Sequence, residues 1–432
     1  MKNIFLSVAL FFSITLVSQT TVDQFYSAKL GAKREITVKL PANYDKNPER
    51  VYPMVLVLDS EYLFGIFDGN LTYGKYWDDM PDVVLVGIGQ NKNNERYDDS
   101  EFDENTGLPK GKGAAFFEFI GTELLPHLEK KYRLSPFKVI AGLDTTAGFI
   151  NAFLYKEIPL FNAYISMSPE LAAGMEQRVA QRLSVLKTPI FYYQATADGD
   201  LKKFQKQIKK LDENIKAIKK DSTSTLNYKF DDFKGIAHYG IAPNAAPSAL
   251  YQIFSVYQPI SSIEYQEKIV VLKEGYVDYL NKKYEMIDKA LGVKMKMRLS
   301  DMKAIEAAIK KNEAWYEYEQ LAQISGQQYE KSMLYDYHMG MYWEKRNDLK
   351  KAMKFYQNAF IKEEIGDLTK DMMMNKAEDL KALMPKKDKL KGGKGKDKKT
   401  EDLLEETPAE TPTDVPTDAP AEEPKKEEKK SE

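Results

Sequence analysis

The stretch Phe137–Phe149, FKVIAGLDTTAGF, constrains the fold more than any other part of the chain. Its first half is an apolar run suited to a strand covered on both faces. Its second half is small and helix-compatible, and only Gly142-Leu143-Asp144-Thr145-Thr146 separates the two. A strand that enters a helix through so tight a turn needs small residues, because the two pass at close range. The spacing is that of G-x-S-x-G, a turn that presents a serine hydroxyl at its tip. Here the serine position holds Asp144 and the second glycine position holds Thr146, although Ala147 and Gly148 remain small. A β-branched residue is unfavourable in a strained turn. The expectation is therefore a relaxed turn in which Asp144 caps the following helix, a role that aspartate fills well.

Around this stretch, short apolar runs alternate with helical patterns from residue 20 to about 260. The runs Met54–Leu58, Val83–Ile88, Lys138–Ala141, Ala163–Ser166 and Ile190–Gln194 read as strands of a mostly parallel sheet. Ala115–Tyr132 reads as a helix with Phe117, Ile120, Leu124 and Leu128 on one face and a kink at Pro126. Residues 261–385 change character: Gly and Pro become scarce, and Lys, Glu, Met and Tyr recur at helical spacing. Gly340, Trp343, Ala352, Tyr356 and Ala359 have the small-and-large offsets of a tetratricopeptide helix pair, and equally of an ordinary helical hairpin. Residues 386–432, first Lys/Gly-rich and then rich in Pro, Thr and acid, lack the apolar residues to offset ordering and read as a disordered tail. The fold class is thus α/β, a mostly parallel sheet flanked by helices over 20–260, followed by an α-helical domain over 261–385 and the tail.

The N-terminus reads as a signal peptide over 1–19: Lys2 supplies the charge, Ile4–Val17 the apolar run, and Ser18-Gln19 a cleavage point. An uncleaved anchor is the other reading, and no later segment reaches the roughly 18 apolar residues of a membrane span. The chain has no cysteine, which excludes disulfides, thiolate metal sites and a lipid-modified N-terminal cysteine. Export without cysteine suits a bacterial periplasm or cell surface. Lys+Arg 63 against Asp+Glu 65 gives net −2, so no global field attracts nucleic acid, and none is expected as a partner. There is no HExxH, P-loop or dinucleotide fingerprint, and no cofactor is expected. Asp98, Asp99, Glu101, Asp103 and Glu104 lack EF-hand order and read as a solvated acidic loop rather than a Ca²⁺ loop.

Several blocks together resemble the putative-esterase family of α/β-hydrolases, the group that includes ferric-enterobactin esterases. They are YPMVLVLDSEYLF (Tyr52–Phe64), MPDVVLVGIGQNKNNERYDDS (Met80–Ser100), FFEFIGTELLPHLEKKYRLSPFKVIAG (Phe116–Gly142) and LFNAYISMSPE (Leu160–Glu170). The resemblance spans about Tyr52 to Phe254, and members with a helical, repeat-like C-terminal part fit the layout. It implies a nucleophile at Asp144, where the family has serine, and an acid at Asp198 in QATADGD, with Asp200 as the fallback. It implies a base at His238 in KGIAHYG. It also implies oxyanion donors from the backbone of Thr145 and Ser60, the latter where the family often has glycine.

The chemistry leaves alternatives. Acyl transfer needs a nucleophile whose proton a histidine removes, and Asp144 offers none. One reading is an esterase homologue that has lost its nucleophile and serves as a binding or assembly protein of the envelope. In that reading an envelope partner contacts the helical domain or the tail, and a small ester-like ligand occupies the remnant pocket. The other is an active hydrolase in which Asp144 attacks directly, as in haloalkane dehalogenases and epoxide hydrolases, or in which Thr145 or Ser168 takes over, with His238 as base. His127 and His338 lie in helical patterns and read as structural or exposed.

Overall fold

The computed structural model describes residues 20–90, 92–218 and 225–384. The expected signal peptide and tail lie outside the described residues. Eight strands build one sheet: β1 Thr20–Ser27, β2 Ala32–Lys39, β3 Tyr52–Val57, β4 Val84–Ile88, β5 Leu134–Leu143, β6 Ala163–Met167, β7 Ile190–Ala197 and β8 Leu226–Phe233. Their order is β1-β2-β4-β3-β5-β6-β7-β8. Pairing is parallel from β4 to β8, while β2 runs antiparallel to both β1 and β4. The five apolar runs are the central strands β3 to β7. β1, β2 and β8 escape a search for uninterrupted runs because they lie toward the sheet's edges. In β2 only alternate residues such as Ile36 and Val38 are buried, and β1 exposes most of its length.

Among the described residues eight helices accompany the sheet: α1 Ser60–Tyr76, α2 Glu95–Asp98, α3 Gly111–Glu118, α4 Leu125–Lys131, α5 Thr145–Phe149, α6 Met175–Val185, α7 Lys202–Ile218 and α8 Ile241–Ile253. The period-2 geometry of a strand sends alternate residues to opposite faces. Val139 and Ala141 of β5 pack with α1 and α8, whereas Ile140 packs with α3, α4, α6 and α7. The expected helix over 115–132 runs from Gly111 to Lys131, and its irregularity is a π turn over Phe119–Leu124. That wider turn puts Pro126 in the first turn of α4, where its missing N–H costs nothing.

Seven further helices follow: α9 Ser262–Glu264, α10 Tyr276–Leu291, α11 Leu299–Lys311, α12 Glu317–Gln328, α13 Leu334–Lys345, α14 Leu349–Phe360 and α15 Lys370–Leu383. From α12 onward each packs on the next. Ala352, Tyr356 and Ala359 of α14 are fully buried against α13. A Cβ at Gly340 would come within 2.4 Å of the Tyr356 ring, so only glycine lets this pair close. Among the described residues the chain is helical after β8, and sheet and helices form one compact unit through Met384. One buried core runs from β5 through α8 and α10 to α15. Polar ties cross it: Arg298 pairs with Asp78 and lies 4.4 Å over the Tyr257 ring, and the Ser135 hydroxyl donates to the Leu291 carbonyl at 2.7 Å. No helix among the described residues is long and apolar enough to cross a membrane.

Candidate functional site

The C-terminal ends of the parallel strands converge on one cavity, the place where open α/β sheets bind ligands. Asp144 stands there between β5 and α5 with φ 60° and ψ −114°. A non-glycine residue in such a conformation costs about 1–3 kcal/mol and persists only where its surroundings impose it. The expected relaxed turn is therefore overturned. Asp144 makes no side-chain cap to α5; its carboxylate lies 3.6 Å from the Arg96 guanidinium and lines the cavity.

Thr146, expected to loosen the turn, locks it. It is fully buried, its hydroxyl donates to Asp59 at 2.6 Å, and it accepts from the Leu143 N–H at 3.0 Å. The glycines that close packing demands are Gly142 and Gly148. A Cβ on Gly142 would meet the Thr146 backbone at 2.7 Å, and one on Gly148 would meet the Glu170 carbonyl at 2.0 Å.

Arg96, on α2, ties three strand ends together. Its Nε donates to Asp59 Oδ1 at 2.8 Å and its Nη2 to the Leu143 carbonyl at 2.8 Å. The Asp59 N–H donates to Gln90 at 3.1 Å. Burial raises the Asp59 carboxyl above its ordinary range, although Arg96 and Thr146 pull against it. Burial opposes the Arg96 charge too, but Asp59, Tyr62 and Asp144 hold that guanidinium more firmly protonated than usual.

His238 lines the same cavity as Asp144. Its Nδ1 lies 2.7 Å from Asp200 Oδ1, which leaves Nε2 for the cavity. The acid facing His238 is thus Asp200, the fallback, and not Asp198. After β7 the chain turns so that the Asp200 N–H reaches the Ala197 carbonyl, folding Asp200 under the sheet. There it accepts from Ser168, Thr196 and the Ala197 N–H at 2.7, 2.7 and 2.9 Å. Burial alone would raise its carboxyl, but these donors and His238 hold it below the ordinary range. Asp198 points outward and accepts from the Gly235 N–H at 2.9 Å. Gly199 allows the crossing, since a Cβ there would lie 2.3 Å from the His238 nitrogen.

The other candidates do not face the cavity. Ser168 is buried with its hydroxyl committed to Asp200. The Thr145 hydroxyl donates to Glu170 at 3.3 Å. Ser60 and Thr145 open α1 and α5, and neither lines the cavity wall. Of the acidic cluster, Asp98 pairs with Lys112, Asp99 pairs with Arg34, and Asp103 caps its own turn at the Asn105 and Thr106 N–H groups. His127 stacks edge-on against Phe25, and His338 is buried among the C-terminal helices.

The cavity measures about 630 Å³ and is walled chiefly by Tyr62, Arg96, Tyr97, Asp144, His238 and Tyr239. Among the described residues that line it there is no serine or threonine. His238, oriented by Asp200, can accept a proton, but the wall offers it no aliphatic hydroxyl to activate. Sequence reasoning passed over Arg96, Asp59, Gln90 and Tyr62. The available signal was Arg96 in NNERYDDS and Asp59 at the end of an apolar strand, because a buried arginine requires carboxylates near it.

Comparison with known proteins agrees with this architecture. Residues 27–186 match the family described as putative esterase, a span that ends before Asp200 and His238. The structure is similar to that of an uncharacterised protein from Capnocytophaga ochracea, with TM-score 0.75 and 28% identity, covering 84% of this chain and 100% of that one. It shares its fold with an IroE-like serine hydrolase from Shewanella oneidensis, with TM-score 0.53 and 17% identity, covering 71% of this chain and 99% of that one. No curated protein matches the chain.

Proposed function

We propose that this chain, a member of the putative-esterase family by its residues 27–186, is an exported homologue that has lost ester hydrolysis and serves as a binding or assembly protein of the bacterial envelope. The observation that carries this reading is the corner at Asp144. A carboxylate paired with Arg96 stands where a serine hydroxyl would have to face His238. A fixed negative charge there also opposes the oxyanion of acyl transfer, which catalysis has to stabilise. What remains supports a ligand site: an open cavity, the His238–Asp200 pair and a turn still held in its costly conformation. The N-terminal apolar run and the lack of cysteine support export. The helical region, from which Tyr316, Phe360, Ile361 and Leu383 are exposed, supplies surface for a partner.

The test is Asp144→Ser on the full chain, assayed on a short-chain aryl ester. The restored hydroxyl meets an oriented histidine, so hydrolysis rises by about 10³-fold over the wild type and falls back in Asp144→Ser/His238→Ala. A serine variant no faster than the wild type contradicts the reading of an intact site lacking only its nucleophile.

A second reading is favoured by the strained backbone, which aims an Asp144 carboxylate into an open cavity. Asp144 would attack an electrophilic carbon, expel the leaving group and form an ester, which water deprotonated by His238 would then hydrolyse. A single turnover in ¹⁸O-water decides it, because that route alone leaves the label in the Asp144 carboxylate.

A further inference from the structure

The charges around the cavity do not balance. Asp59, Asp144 and Asp200 stand against one guanidinium, that of Arg96, so with the three carboxylates ionised the cluster is negative whether or not His238 carries a proton. Arg96 is the only lysine or arginine among the described residues that line the cavity. It is also heavily committed, since Asp59 and the Leu143 carbonyl take its closest donors. Asp144 receives only a 3.6 Å ion contact, too long for a hydrogen bond. No hydrogen bond within the described structure reaches its Oδ1. A carboxylate held in a strained conformation, under-bonded and facing an open cavity, lacks a donor.

The remaining wall specifies what kind of donor. Tyr62, Tyr97 and Tyr239 are all exposed around the cavity, and aromatic faces attract cations. Tyr97 already carries the Arg96 guanidinium 5.9 Å from its ring centre. Ile66, Leu143 and Ala242 give an apolar strip on the same wall. Two amides also line the cavity, Gln90 and Asn94, and Gln90 is used up: its Oε1 accepts from the Asp59 N–H and its Nε2 donates to Asp99 at 2.9 Å. An anion or an ester carbonyl entering here would face the Asp144 charge, with one shared arginine as the only lysine or arginine among the described residues of the lining and the neutral Asn94 amide beside it. An ammonium has three donors and a compact charge.

We infer that the cavity binds a small organic cation, a primary ammonium on a short apolar stem, with Asp144 as its principal acceptor and the tyrosines around its stem. This assignment names the ligand class of the site and rests on the reading of that site as a binding pocket. The replacement of the family's serine by Asp144 is then the change that sets specificity, turning a corner that would receive a carbonyl into one that receives a cation.

The experiment titrates the full chain with n-butylammonium, with n-butyrate as the charge-reversed probe and n-butanol as the neutral one, and reads binding by calorimetry and ligand-observed NMR. The expected result is that butylammonium binds about tenfold or more tighter than either control. Asp144→Asn weakens butylammonium about tenfold while Asp198→Asn, at a carboxylate outside the cavity wall, changes it by less than about threefold. Asp144→Ser gives the same loss should the amide variant not fold. Butyrate binding as tightly as butylammonium, undiminished butylammonium binding by a folded Asp144 variant, or no saturable signal from butylammonium overturns the assignment. Failure of the underlying reading shows elsewhere, as His238-dependent ester hydrolysis by the wild type, so the two are told apart.

Discussion

Two histidines mark two different uses of the same side chain. His238 sits in a glycine-flanked loop at the cavity, partly exposed, with Asp200 at its Nδ1. His338 sits in α13, fully enclosed, its Nδ1 2.7 Å from the Ser325 hydroxyl and its ring beside those of Tyr318 and Tyr337. A carboxylate partner equips the first to carry a proton. Burial, only partly opposed by the Glu306 charge, pushes the second down to about 4, so it stays neutral and fills space. The contrast teaches that the surroundings, and not the residue type, separate a site from a core. The strained, under-bonded, open corner is at Asp144, while the helical region is closely packed around Gly340 and Tyr356.

The largest expected difference is in stability. His338→Ala leaves a cavity among packed helices and costs about 3 kcal/mol, whereas His238→Ala costs less than about 1 kcal/mol, both measured by urea unfolding. Equal losses would break the comparison. Next comes pH. His338 is neutral in the folded chain down to about 4, but the unfolded chain binds its proton below about 6.5. Between these values the unfolded state holds more protons, so stability falls as pH falls, by about 2 kcal/mol at pH 5 relative to pH 7. His338→Gln removes that share of the slope, and an unchanged slope in the variant would show that His338 is not the group responsible. Smaller again is the acid. Asp200→Asn loses a charge-assisted network and costs about 1.5 kcal/mol, while Asp198→Asn leaves the melting temperature unmoved. A shift from Asp198 of equal size would restore it as the structural acid. Smallest is Gly340→Ala, where the clash with Tyr356 outweighs the gain in helix propensity by about 1 kcal/mol.

Much of this was legible in the chain. Uninterrupted apolar runs mark β3 to β7 because those strands are covered on both faces. β1, β2 and β8 carry weaker patterns because edge positions bury only part of each strand. His238 stood out through its loop and its flanking glycines. Asp198 and Asp200 could not be ordered from sequence, since the choice depends on the turn that folds Asp200 back under β7. The state of the Asp144 turn was misjudged because propensity favours a relaxed cap. Tertiary contacts override it: Thr146 bonded to Asp59 and Arg96 bonded to the Leu143 carbonyl hold the turn from outside. Such long-range ties leave no local pattern.

The central claim is that His238 stands oriented at an open cavity with nothing to activate. The rate ratio of wild type to His238→Ala on a short-chain aryl ester tests it most directly. The account predicts two equally slow proteins and a ratio near one. A wild type faster than His238→Ala by about a hundredfold or more would mean that a nucleophile is present and working, and the account would be wrong.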